Sequence, residues 1–157
     1  MQQLRTQASP ALTAFARLVR SHAALTRELN AGLVADHGMT INDYEVLLRL
    51  ARADDRRMRR VDLANEVLLS PSGITRMLDR LQDAGLVERG SCPTDRRVIY
   101  AVLTEAGMAR LREVSPTHAA DVEGLLGARL DGEELATLGE LLERLGGAGE
   151  DGCEPAE

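Results

Sequence analysis

The apolar residues of this chain recur at three- and four-residue steps almost throughout, and the period changes only between residues 86 and 103. Three- and four-residue steps mark helices with one buried face, whereas short apolar runs bounded by turn residues mark strands. Leu86-Val87-Glu88-Arg89 and Val98-Ile99-Tyr100-Ala101-Val102-Leu103 read as two strands joined by a polar turn around Pro93-Thr94-Asp95. The chain is therefore expected to be mainly α with one small β-hairpin. Phe15, Tyr44 and Tyr100 are the only aromatic residues. A core without aromatic bulk must be built from aliphatic side chains, which favours packed helices over a sandwich.

The helical stretches carry their own punctuation. Residues 10–36 form a long predicted helix, with Pro10 in the first turn after Ser9 and Gly38 beyond its end. Its stripe runs through Leu12, Phe15, Leu18, Val19, His22, Leu25, Leu29 and Leu33. Thr40 is placed to cap a second helix carrying Ile41, Tyr44, Leu47, Leu48 and Ala51, which stops near Asp54-Asp55. A short third helix spans about Val61 to Leu68. Ser70 then caps a fourth that starts at Pro71, buries Ile74, Met77, Leu78 and Leu81, and ends at Gly85. After the hairpin, Thr104 caps a helix that Pro116 is expected to bend or restart. Asp131 and Glu134 have capping spacing before a last helix with Leu135, Leu138, Leu141, Leu142 and Leu145, stopped by Gly146-Gly147.

A net charge of −6 taken alone argues against a nucleic-acid partner. Its distribution argues otherwise. Residues 56–97 hold nine arginines against six acids, a local net charge of +3 inside an acidic protein. A DNA-binding face needs only local positive potential.

Two helices separated by a tight turn and followed by a hairpin are the parts of a winged helix-turn-helix. Its second helix presents its N-terminal part to base edges in the major groove. Here that part carries Ser72, Gly73, Thr75 and Arg76 on the outer face, with Arg80 one turn further. Hydroxyls can donate or accept at a base edge, glycine permits close approach, and a guanidinium can fork onto guanine. The hairpin tip, Cys92-Pro93-Thr94-Asp95-Arg96-Arg97, sets two arginines where they can enter the adjacent minor groove. Asp95 would repel a phosphate, so its expected role is to brace the tip by pairing with an arginine.

Asp95-x-Arg97 followed by Leu103-Thr104 and Gly107 resembles the wing signature of the MarR-type (multiple antibiotic resistance) transcriptional regulators. Val61-Asp62-Leu63-Ala64, Leu69-Ser70-Pro71-Ser72-Gly73-Ile74-Thr75-Arg76 and Leu81-x-x-x-Gly85-Leu86-Val87-x-Arg89 resemble that family's helix-turn-helix. The resemblance runs from about Pro10 to Leu145. It implies that Ser72, Gly73, Thr75 and Arg76 face bases, that Arg80 and Ser70 meet phosphates, and that one of Arg96 and Arg97 enters the minor groove while the other holds Asp95.

The resemblance also implies a homodimer on a pseudo-palindromic double-stranded operator, acting as a repressor released by a small, often anionic phenolic effector. Residues 1–36 and 116–146 would form the dimerisation region and 40–103 the winged helix-turn-helix. Residues 104–115 would be the connecting helix and 147–157 a disordered acidic tail. Phe15, His22 and Tyr44 are candidates for the effector pocket, as polar or aromatic groups on otherwise aliphatic helices. Cys92 has no Lys or His close in sequence to activate it, and His22, His37 and His118 lack metal-ligand spacing. No cofactor and no metal are expected.

With neither a secretory signal nor an apolar run of the ~20 residues a membrane span needs, the expected place is the cytoplasm. No phosphate-cradling glycine loop or nucleophile with its base is visible, so the chain does not read as an enzyme. The alternative function is a winged-helix protein-interaction module without DNA binding.

Overall fold

A computed structural model describes residues 9–92 and 94–146. The predicted tail of 147–157, residues 1–8 and Pro93 at the hairpin tip lie outside the described residues. The chain forms helices α1 (Pro10–His37) and α2 (Ile41–Arg52), strand β1 (Arg57–Arg59), then helices α3 (Arg60–Glu66) and α4 (Pro71–Asp83). Strands β2 (Val87–Ser91) and β3 (Ile99–Leu103) follow, and helices α5 (Glu105–Gly127) and α6 (Gly132–Gly146) complete it. None of the described helices is long and apolar enough to cross a membrane.

The predicted caps form, and Ser9 adds one at the start of α1. The Ser9 hydroxyl accepts from the Leu12 N–H at 3.2 Å. Thr40 accepts from the Asp43 N–H at 3.2 Å while the Asp43 carboxylate accepts from the Thr40 N–H at 3.1 Å, a reciprocal capping box. Ser70 accepts from Gly73 at 3.1 Å, and Thr104 from Gly107 at 2.9 Å. Asp131 and Glu134 form a second box at 2.9 and 3.0 Å. Each satisfies helix-end N–H groups that would otherwise lack an acceptor. Gly38 ends α1 with φ 62°, a left-handed conformation that suits glycine.

The core is aliphatic, as the composition requires. Val46, Leu47 and Leu50 of α2 are fully buried among Leu33, Leu63, Ile74, Leu81, Leu111 and Val114. Thus α2 is the hub on which α1, α5 and the helix-turn-helix pack. By contrast α1 buries only Leu33, and α6 buries nothing.

Three features differ from the sequence reading. The β structure is a three-stranded antiparallel sheet in the order β1-β3-β2 rather than a hairpin alone. Arg57, Met58 and Arg59 pair with Val102, Ala101 and Tyr100. Met58 alone of the three faces inward, so no apolar alternation announced the strand. The third helix begins at Arg60, directly after β1, and ends at Glu66 instead of reaching Leu68. Finally, α5 passes through Pro116 as one helix, without the expected restart. Pro116 is exposed, while Val114, Ser115 and His118 on either side of it are buried and anchor both halves in the core. The Ser115 hydroxyl also donates to the Leu111 carbonyl at 2.7 Å across that turn.

The root of the sheet is locked to α5. Besides capping α5, the Thr104 hydroxyl donates to the Gly85 carbonyl at 2.7 Å. Gly107 packs so closely beneath this turn that a Cβ there would stand 2.1 Å from the Leu86 carbonyl oxygen.

Candidate nucleic-acid interface

Recognition-helix candidates occupy the outer face of α4. Ser72 and Arg76 are exposed, while Gly73 and Thr75 are half-buried. The Ser72 and Ser70 hydroxyls are 3.3 Å apart at the helix entrance. The Thr75 hydroxyl donates to the Pro71 carbonyl at 2.8 Å, which leaves its oxygen free to accept. Arg76 Nε donates to the Ser72 carbonyl at 3.4 Å, which lays the guanidinium along the first turn.

Helix α4 is held from two sides. Arg80 pairs with Asp43, which is buried and already closes the α2 capping box. Arg89 on β2 pairs with Asp79. The family resemblance implies a phosphate for Arg80 and assigns no role to Arg89 or Asp79. In the fold, Arg80 is engaged with a carboxylate, although much of its side chain remains in solvent.

Asp95 braces the hairpin tip, but through the backbone rather than a guanidinium. Its Oδ1 accepts from the Arg97 N–H at 2.9 Å, and its carbonyl accepts from the Val98 N–H at 3.1 Å. This Asx turn fixes the approach to β3. Cys92 sits 3.1 Å from the Thr94 hydroxyl, whose hydrogen bond, aided by backbone N–H groups, holds the thiol pKa below its ordinary value.

The nine arginines of residues 56–97 separate into those held within the fold and those left free. Arg56 pairs with Glu105 at 2.7 Å and Arg59 with Asp62 at 2.6 Å. The Arg57 guanidinium lies 5.0 Å from the centre of the Tyr100 ring. Arg80 and Arg89 serve α4 as described, and among the described residues Arg76 bonds only within its own helix. Among the described residues, the guanidinium groups of Arg60, Arg96 and Arg97 have no partner. A patch of charge in the sequence thus becomes a small set of available cations.

The effector-pocket candidates are not brought together within one chain. Phe15 is 65% exposed and His22 is exposed, both on α1. Tyr44 is 2% exposed in the core, where its hydroxyl donates to Ser115 at 3.2 Å and its ring lies 4.5 Å from that of His118. Burial lowers the His118 pKa, with Glu45 and Asp121 opposing the shift. Ser115 and His118 were missed in the sequence. Their signal was two polar residues at positions where the α5 stripe of Leu111 and Val114 calls for apolar ones. No group of three or more His, Cys, Asp or Glu residues suited to a metal ion occurs among the described residues.

With α3 and α4 set across the turn at Leu68–Ser70 and the β2–β3 hairpin beside them, the central part of the chain is a winged helix-turn-helix. Sequence and structure comparisons narrow this class. The MarR family signature matches residues 37–98. The HTH-type transcriptional regulator MhqR of Bacillus subtilis is 30% identical over 86% of this chain and 90% of its own length. AbsC, a MarR family regulator from Streptomyces coelicolor, superposes with TM-score 0.75 at 34% identity, covering 87% of this chain and 93% of that one. Sco3205 from the same organism, solved in complex with DNA, gives TM-score 0.76 at 30% identity over 85% of this chain and 83% of its own. The chain belongs to the MarR family.

Proposed function

We propose that two copies of this chain bind a pseudo-palindromic duplex operator and repress transcription until a small anionic or phenolic effector releases them. The observation that carries this reading is the contrast on the basic face. Helix α4 is clamped by Asp43–Arg80 and Asp79–Arg89, while Arg76 lies exposed along its first turn and Arg96 and Arg97 on the wing have no partner among the described residues. A rigid reading helix with unpaired guanidinium groups beside it suits base readout in the major groove and contact in the minor groove. Ser72, Gly73, Thr75 and Arg76 are the proposed base-facing residues, with Ser70 at a phosphate. Arg80 contributes mainly by orienting α4. That Sco3205 was solved with DNA supports the same use of this shared fold.

Dimerisation is supported by the apolar residues that a single copy leaves in solvent. Leu12, Phe15, Leu18 and Val19 of α1 are exposed, as are Leu138, Leu141, Leu142 and Leu145 of α6. Faces of this kind call for a partner, and a two-fold axis would match operator symmetry. Phe15 and His22 lie in solvent in one copy, so an effector site using them would form only in the dimer. An effector acts by preferring one spacing of the two α4 helices, which requires differential affinity for the two states. The proposed site of action is the cytoplasm.

Selection of bound fragments from the source genome by the purified protein tests this function. A shared palindrome is expected among the recovered fragments, and recovery without a common sequence would refute the reading. Removal of residues 1–30 is expected to abolish both dimerisation and specific binding. A truncated chain that still dimerises and protects the same site would refute the dimer assignment.

A further inference from the structure

Among the described residues, Arg60 is the one arginine of the basic segment without a partner that belongs to neither α4 nor the wing. Its place follows from β1, the strand the sequence concealed. Because β1 pairs with β3 and Arg59 lies opposite Tyr100, the start of α3 is carried up beside the tip-side end of β3. A groove of about 190 Å³ opens there between Arg59, Arg60, Val61 and Asp62 on one wall and Arg97, Val98 and Ile99 on the other.

The charges of this groove are unequal. Arg59 and Asp62 neutralise each other in a 2.6 Å pair. Arg60 and Arg97 remain, both without a partner among the described residues. Both line a groove whose one carboxylate among the described residues, that of Asp62, is already held by Arg59. Arg60 also lines the cleft between α4 and the sheet, with Thr75 of α4 and Glu88 and Arg89 of β2, and so stands between the reading helix and the wing.

We propose that Arg60 binds one phosphate of the DNA strand passing from the groove read by α4 to the groove entered by the wing. This rests on the DNA-binding reading above and deepens it. The phosphodiester sits at the mouth of the groove, with the guanidinium of Arg60 on one side and the charge of Arg97 on the other. A contact there carries no sequence information. It fixes the register of the duplex against α4 and the wing together, which is what phosphate contacts do. Asp62 does not compete, because its carboxylate is bound by Arg59.

The test uses the full-length protein and a duplex selected from a random library by the wild type. Arg60→Gln, with unchanged melting temperature and dimer mass, is expected to bind that duplex about tenfold more weakly. The slope of log affinity against log salt is expected to fall by about two, one phosphate per subunit, without a change in the selected sequence. Arg60→Lys is expected to retain the slope. Neutral methylphosphonate linkages placed singly along the duplex identify the phosphate. One position per half-site should weaken the wild type and leave Arg60→Gln indifferent. Wild-type affinity and slope in Arg60→Gln would overturn the proposal while leaving DNA binding intact. So would an equal loss by both proteins at every linkage. If the wild type itself shows no salt-sensitive duplex binding, the DNA-binding reading falls and this proposal with it.

Discussion

Arg80 on α4 reaches back to Asp43, the same carboxylate that closes the capping box at the start of α2. One side chain thereby serves a helix N-terminus and the helix proposed to read DNA. The arrangement extends to α1, because Asn30 Oδ1 accepts from the Ile41 N–H at 3.0 Å beside the box. Asn30, Asp43 and Arg80 thereby connect α1, α2 and α4 through hydrogen bonds.

Asp43 is only 6% exposed, so removing its partner strands a carboxylate with little access to water. Arg80→Met is expected to lower stability by about 1–3 kcal/mol, the cost of a buried polar group left short of a partner. Adding Asp43→Asn, which keeps an acceptor for the Thr40 N–H, should recover part of that loss. Urea unfolding of the two single variants and the double variant measures the coupling. Simple additivity would show that the pair does not latch α4.

Gly107→Ala places a methyl group against the Leu86 carbonyl and the Leu103 side chain, at 2.1 and 2.6 Å from the Cβ position. Backbone cannot yield as a flexible side chain does. A loss of about 3 kcal/mol or more is expected, with the wing root disturbed first. Thermal unfolding followed by circular dichroism checks it. A variant as stable as the wild type would show that the turn relaxes freely.

Leu68 adopts φ 54° in the turn between α3 and α4 and is 90% exposed. A left-handed conformation costs a residue with a Cβ roughly 1–2 kcal/mol, and this side chain recovers little by burial. Leu68→Gly is expected to raise stability by about 0.5 kcal/mol after the greater unfolded-state freedom of glycine is subtracted. The urea midpoint reports it, and a lower midpoint would contradict the strain.

His118 is buried beside Tyr44, and desolvation holds its pKa below the ordinary 6.5. The unfolded chain therefore takes up this proton first as pH falls. Stability from this residue is complete above about pH 6.5 and declines on acidification until the folded-state pKa is reached. His118→Leu should lose less stability than the wild type between neutral pH and about pH 5.5. Identical pH profiles would assign the acid sensitivity elsewhere.

The local rules that made the sequence legible are those of helix ends. Thr40, Ser70, Thr104 and Asp131 each cap the helix expected of them, because a cap depends on residues three positions apart. What stayed hidden depends on distant partners. Strand β1 has one inward residue, Met58, and takes its hydrogen bonds from β3 after the whole helix-turn-helix has intervened. Likewise, no spacing rule pairs Arg80 with Asp43 or Arg56 with Glu105. The basic segment was visible as a patch of charge, but which of its arginines remain available was settled only by tertiary contacts.

The proposed DNA-reading face is the one formed by α4 and the wing. Its most direct measurement is the affinity of the full-length dimer for the selected palindrome and for a scrambled duplex, each titrated with salt. The expected result is a preference for the palindrome of at least about a thousandfold. Affinity should fall steeply with salt for both duplexes, and Arg96→Ala and Arg97→Ala should both weaken binding. Equal, salt-insensitive affinity for the two duplexes, unchanged by either substitution, would contradict it and leave a winged helix that serves another partner.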